Sequence, residues 1–351
     1  MRIGVLSPVW YPVPPEGYGG TERIVSLLVE GLVAQGEDVT LFASGDSQTS
    51  AELVSVFAEA PSDRIGESFW ELRHTLACLA WASDFDVIHD HSGLLGLALC
   101  GQQETPVVHT VHGSLEGDVG PLYARIAAAA PDIGLISISE SQRAGWDELP
   151  WLATCHNAIE VDDYPLRTDH EGYLAFLGRM SPEKGAHRAI EIARAAGAEL
   201  RIAAKCREPS EQKYFDRFVA PHLGQGVEYL GELRREECAE LLGGARALLF
   251  PIEWEEPFGL VMVEALACGT PVIATRRGSV PEVLDHGRAG VIVDDYRDMV
   301  QALHDADALD PASLRRSVVE RFSPERMVSS YLKAYERVLG LGELRPAELA
   351  A

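Results

Sequence analysis

Two stretches of this chain follow one plan: "LVAQGEDVTLFA" (32–43) and "ARAAGAELRIAA" (193–204) each run helix, glycine, strand. A helical period that stops at a glycine and passes at once into an apolar run is the crossover unit of a parallel sheet, because parallel strands need a long return path. Each copy is preceded by a short strand-like run, "RIGVLS" (2–7) and "GYLAFLGR" (172–179), and by a turn or loop, "PVWYPVPPEGYGG" (8–20) and "SPEKG" (181–185). The same unit in both halves restricts the fold to α/β, with two Rossmann-like parallel-sheet domains. In the first copy Ile24, Leu27, Leu28 and Leu32 share one helical face, with Thr21 expected as N-cap and Gly36 as C-cap.

Further strands are expected at "DVIHDHS" (86–92), "PVVHTVHGS" (106–114), "GLISISE" (134–140), "GVEYLGEL" (226–233), "ARALLFPI" (245–252) and "TPVIAT" (270–275). Several end in polar residues, at the sheet edge where open α/β sheets bind ligands. The polar stretch "EVDDYPLRTDHEG" (160–172) is the expected linker, which gives domains 1–163 and 164–322. "SPERMVSSYLKAYERVLG" (323–340) is an expected amphipathic helix returning towards the first domain, followed by a frayed tail of eleven residues.

A length of 351 residues suits two such domains. The net charge of -24 argues against nucleic acid or an anionic membrane as partner, although a local basic pocket can still hold an anion. The six cysteines are scattered with no CxxC pair, as in a reducing, cytoplasmic setting. No leader-like segment and no apolar run of the roughly 18 residues that span a bilayer are read, so stable membrane insertion is not expected. Oligomeric state is left open.

Four constellations carry chemistry. In "EEPFGLVMVEALACGTPVIA" (255–274), Pro257 suits a first helical turn and Gly269-Thr270-Pro271 a helix end. Glu256 is expected at the mouth, with the amides of Phe258, Gly259 and Leu260 turned outward to an anion or polyhydroxyl ligand. Glu264 is expected two turns inside the apolar run, where a carboxylate needs a donor, and ribose hydroxyls are one candidate. In "GRMSPEKG", Arg179 follows a strand, Ser181-Pro182 reads as a helix start and Lys184 sits in the first turn. Cations there oppose the helix dipole, so a bound anion such as a diphosphate is expected to offset the cost. "EGYGGTE" lacks GxGxxG spacing, but Gly19 and Gly20 expose backbone at a helix start. In "HTVHG", His112 ends a strand at the cleft expected between the domains. "HDHS" resembles half a metal site with no third or fourth ligand at useful spacing, so no metal is assigned.

In this order, the four pieces resemble family 4 of the retaining glycosyltransferases, of GT-B fold, over nearly the whole chain. Glu256 to Glu264 is similar to the family's E-x7-E pattern, and "HNAIEVDDY" to its Asn-Gly-Ile segment, with Ala158 where glycine is usual. The resemblance implies that Glu264 holds the ribose and that Arg179 and Lys184 clamp the diphosphate. Glu256 with Phe258, Gly259 and Leu260 would hold the donor sugar, Gly19 and Gly20 would approach from the first domain, and His112 would contact the transferring sugar. It further implies transfer of a hexose from a nucleotide sugar, UDP favoured over GDP, to a small-molecule or saccharide hydroxyl, with retention and without metal or other cofactor. The acceptor is expected near Trp10, Tyr11, Tyr18 and Asn157. A nucleotide-sugar epimerase, a nucleotide-dependent oxidoreductase and a non-catalytic nucleotide-sugar-binding protein stay open as alternatives.

Overall fold

The computed structural model describes residues 1–130 and 133–340; the expected frayed tail, 341–351, lies outside them. Strands β1 (Arg2–Leu6), β2 (Asp38–Phe42), β3 (Glu52–Val54), β4 (Val87–Asp90), β5 (Val107–Val111), β6 (Ile133–Ser137) and β7 (Trp151–Thr154) form one sheet in the order β3-β2-β1-β4-β5-β6-β7. Strands β8 (Leu174–Arg179), β9 (Leu200–Lys205), β10 (Val227–Gly231), β11 (Ala247–Phe250), β12 (Val272–Thr275) and β13 (Gly290–Val293) form a second, in the order β10-β9-β8-β11-β12-β13. Neighbouring strands within both sheets are parallel. Strands buried on both faces have no polar side to alternate, and β5 and β6 are buried at every residue. The fold is therefore the doubly wound α/β pair that the repeated units predict.

Each sheet reverses its winding once, between β1 and β4 and between β8 and β11. At such a point successive crossovers leave on opposite faces and open a crevice beyond the strand ends. The loop after β1, the ends of β4 and β5, the turn after β8 and the loop after β11 therefore carry the residues of interest.

The Pro324–Val338 helix leaves the second half and packs on the Gly20–Ala34 helix. Its Met327, Val328, Tyr331 and Tyr335 join Ile24, Leu28 and Leu32 in one buried cluster. The helices approach closely at Gly31, where a Cβ would stand 2.4 Å from Val328 Cγ2. Among the described residues no helix is long and apolar enough to cross a membrane.

Three local expectations are corrected. The first helix begins at Gly20, so Gly19, at φ +146, occupies the cap expected of Thr21. The helix expected from Pro257 begins only at Leu260, because Gly259 adopts a left-handed φ of +78. Phe258 is held in the preceding loop, buried, with Ser279 Oγ donating to its carbonyl at 2.8 Å. Lys184 ends a short 3₁₀ turn, Pro182–Lys184, and the α-helix follows separately as Ala186–Ala196.

Candidate active site

The turn that carries Lys184 and the loop that carries Glu256 meet through a glycine. Gly185 has φ +80, and a Cβ there would stand 2.4 Å from the Pro251 carbonyl oxygen. Only a residue without a side chain lets the turn close on the loop. Lys184 Nζ then lies 2.5 Å from Glu256 Oε2 and 4.6 Å from the centre of the Trp254 ring. Trp254 Nε1–H donates to the same oxygen at 2.9 Å. The Glu256 backbone is pinned from behind by Gly278, whose Cβ position is 2.3 Å from both its N and its O. Ser181, expected as a helix cap, makes no side-chain cap, and its buried Oγ has no partner. Arg179, at the end of β8, donates to Glu183 at 3.2 Å.

Glu264 lies about one turn into its helix, not two, as a result of the later start. Protein groups already satisfy one of its oxygens: Arg23 Nη1 donates to Oε1 at 3.1 Å and Tyr164 O–H at 3.0 Å. Arg23 belongs to the first half, so this ion pair spans the cleft. Buried pairs of this kind are tolerated because each charge finds hydrogen-bonding partners.

The cleft measures about 370 Å³ and takes residues from both halves. The first half supplies Gly19, Gly20, His112 and Asn157; the second supplies Arg179, Lys184, Glu256, Phe258, Gly259, Leu260 and Glu264. Asn157, expected with the acceptor, lines this cleft instead, and its buried Oδ1 has no hydrogen-bond partner. Arg23, Tyr164, Trp254, Lys205 and Arg235 also line it and were not anticipated. Each of its five cations faces a carboxylate, Lys205 meeting Glu208 and Glu211, and Arg235 meeting Asp163.

A second cavity, about 480 Å³, opens at the β1/β4 switch point. Trp10, Tyr11 and Tyr18 line it, as expected of an aromatic acceptor loop, together with Glu22, His91, His109 and His112. The two cavities share Tyr18, Gly19, Gly20, Thr21 and His112 as a common wall.

His112 ends a hydrogen-bonded chain, and the histidines of "HDHS" belong to it. Thr110 Oγ1 donates to Tyr331 at 3.2 Å, so it accepts from His89 Nε2–H at 2.8 Å. The bare His89 Nδ1 then accepts from Tyr335 O–H at 2.7 Å and from His91 Nε2–H at 3.2 Å. His91 Nδ1 in turn accepts from His112 Nε2–H at 2.8 Å, which leaves His112 Nδ1 an acceptor. All three rings are neutral at pH 7. Burial, then the neighbouring histidines, hold His89 and His91 well below the usual range. Burial and His109 hold His112 at about 3. A neutral His112 is suited to hydrogen bonding with a hydroxyl, not to clamping phosphate charge.

Glu22 is the unexpected residue. It is 4% exposed, and no other residue among those described donates to its carboxylate. Burial pushes it up to about 7, opposed only by its own backbone N–H. An acid whose folded value exceeds its unfolded value favours folding at low pH and loses that advantage as pH rises from about 4.5 through 7. The loss is about 3 kcal/mol. Glu22→Gln is therefore expected to match wild type in melting temperature near pH 5 and to exceed it by several degrees at pH 8. Equal melting curves at both pH values would show that the carboxylate is solvated.

Two parallel-sheet α/β domains, facing across a cleft lined by cations, carboxylates and glycine-rich turns, form a glycosyltransferase of GT-B type. Residues 162–337 match the model of the glycosyl transferases group 1, and residues 18–144 match that of Glycosyltransferase Family 4. The chain belongs to the family 4 glycosyltransferases. It is 28% identical to glycogen synthase of Mycobacterium tuberculosis strain H37Rv, over 83% of this chain and 82% of that one. It is 29% identical to the phosphatidyl-myo-inositol mannosyltransferase of Mycolicibacterium smegmatis, over 97% and 95%. Among solved structures it is similar to AviGT4, a glycosyltransferase involved in avilamycin A biosynthesis. That likeness has 25% identity, a TM-score of 0.72, and coverage of 97% of this chain and 99% of that one.

Proposed function

We propose that the cleft between the two halves binds a nucleoside diphosphate hexose, UDP-linked in preference to GDP-linked. The hexose then passes, with retention of configuration and without a metal, to a hydroxyl held in the second cavity, at the β1/β4 switch point. The observation that carries this reading is the wall the two cavities share, with His112 and the Gly19-Gly20 backbone on both sides of it. In this reading Glu264 accepts from the ribose hydroxyls, Glu256 and Asn157 hydrogen-bond to the sugar, and Phe258, Gly259 and Leu260 form the wall beside it. Arg179 and Lys184 neutralise the diphosphate as it leaves, and His112 Nδ1 accepts from a hydroxyl of the transferring sugar. The leaving group then needs only positioning and charge stabilisation. An epimerase acting on the nucleotide sugar alone would have no use for the second cavity. Residues 1–163 form the acceptor side, 164–322 the donor side, and 323–340 return to the first. The free cysteines, four of them buried, support a reducing, cytoplasmic setting.

Thermal shifts with UDP, GDP, ADP and their sugar conjugates, with and without Mg²⁺, test the donor. One nucleotide series is expected to raise the melting temperature without the ion. Glu264→Gln is expected to weaken that ligand by roughly 10- to 100-fold, the effect of losing a charged hydrogen bond of about 1.5–3 kcal/mol. No shift with any nucleotide at millimolar concentration would reject the donor site. Proton NMR of the product reads the anomeric outcome, and an inverted glycoside would reject retention.

A further inference from the structure

The second cavity has a charge pattern that restricts what can enter it. Its walls are aromatic at Trp10 and Tyr11, and among the described lining residues there is no lysine and no arginine. Its histidines His91 and His112 are neutral, and His109 Nδ1 is taken up by Asp90 at 2.7 Å. Its one carboxylate among the described lining residues, Glu22, is buried, and the one protein donor it meets is its own backbone N–H. The cations that act on Tyr11 and Tyr18 are Arg179, Lys205 and Arg207, and each is already paired, Arg179 with Glu183. Lys205 meets Glu208 and Glu211, and Arg207 meets Glu232 at 2.8 Å.

From this pattern we infer that the acceptor is an uncharged polyhydroxyl compound, a saccharide or a cyclitol, and that one of its hydroxyls donates to the Glu22 carboxylate. The inference rests on the transferase reading above and narrows it. A buried carboxylate that receives only its own backbone N–H is under-satisfied, and a hydroxyl-bearing ligand supplies a further hydrogen bond. A phosphorylated acceptor would instead place a second anion beside Glu22 with no counter-charge on the walls. The apolar faces of Trp10 and Tyr11 suit the C–H face of a sugar ring. Glu22 is adjacent in sequence to Thr21, on the wall shared with the donor cleft, so a ring held by Glu22 lies next to the transferring sugar.

The test uses the full chain saturated with the nucleotide sugar that stabilises it. Matched pairs are offered as acceptors: glucose and glucose 6-phosphate, myo-inositol and its 1-phosphate, glycerol and its 3-phosphate, with glucosamine as a cationic arm. Product formation and ligand-observed NMR are both recorded. At least one neutral member is expected to bind and react, with its phosphorylated counterpart tenfold or more poorer. Glu22→Gln is expected to lower kcat/KM for that acceptor at least tenfold while the nucleotide-induced melting shift persists. Preference for a phosphorylated or amino member, binding of no neutral member, or an unchanged kcat/KM in Glu22→Gln overturns the inference. If wild type shows no nucleotide shift, the transferase reading fails first and this inference falls with it. A retained shift with no neutral acceptor defeats this inference alone.

Discussion

Lys184→Ala is expected to lower transfer by about a hundredfold or more and to reduce stability as well. The two losses have different causes. In turnover, Lys184 is, with Arg179, one of the two cations assigned to the leaving diphosphate in the proposed site, and a charge acting on developing negative charge in a water-poor cleft is commonly worth about 10²–10³ in rate. In stability, Lys184 and Glu256 are 14% and 9% exposed and face each other at 2.5 Å. Removing one partner leaves the other buried and uncompensated, at an upper limit of about 3–5 kcal/mol. Trp254 still donates to Glu256, which reduces that loss. The double change Lys184→Ala with Glu256→Gln separates the effects, because it removes the orphaned charge without restoring the clamp. Its melting temperature is expected to recover towards wild type while kcat/KM stays low. Turnover by Lys184→Ala within threefold of wild type would remove Lys184 from the donor site.

Gly278→Ala is expected to be comparably damaging, although residue 278 contributes no side chain to the cleft. At φ +51 any other residue is strained, which costs about 1–2 kcal/mol. The larger effect is steric. The new Cβ would lie 2.3 Å from the backbone N and O of Glu256, and backbone atoms cannot escape by changing rotamer. The loop that aims Glu256 must move, and a displacement of about 1 Å in a positioning group costs on the order of a hundredfold in rate. Gly197→Ala is the matched control: its φ of +64 carries the same strain, but nothing lies within 4 Å of its Cβ position. It is expected to keep its activity and lose only stability. If both variants retain activity, the packing of Gly278 against Glu256 has no role in aiming the carboxylate.

The fold was legible because a helix ending at a glycine and running into an apolar strand appears in both halves. The three strands missed, β3, β7 and β13, are edge strands of three or four residues; β3 and β7 have no fully buried position, whereas β13 is buried at Gly290, Val291 and Ile292. Such short edges leave little periodicity to read. At the site, Arg179, Lys184 and Glu264 were visible as charges where local rules disfavour them, and Glu256 by its place at an expected helix mouth. The partners of Glu264 were not, since Arg23 and Tyr164 are 241 and 100 residues away in the chain. Glu22 was hidden for the opposite reason. An acid in a first helical turn satisfies every local rule, and only the tertiary fold takes it out of water. The helix start at Pro257 was misplaced because proline suits a first turn so well, while the left-handed Gly259 that delays the start has no unique sequence mark.

The terminal helix on the first sheet sets an order of assembly. All six strands of the second sheet lie between residues 174 and 293, so its framework is complete once that segment has left the ribosome. The first half is made earlier and finished later. Met327, Val328, Tyr331 and Tyr335 belong to its core; the Tyr331 phenol, by accepting from Thr110, fixes the His89 tautomer, and Tyr335 donates to the Nδ1 that this leaves bare. During synthesis the half made first waits with an apolar groove uncovered while the second matures, and the histidine chain leading to His112 acquires its last hydrogen bond only when residues 324–338 dock.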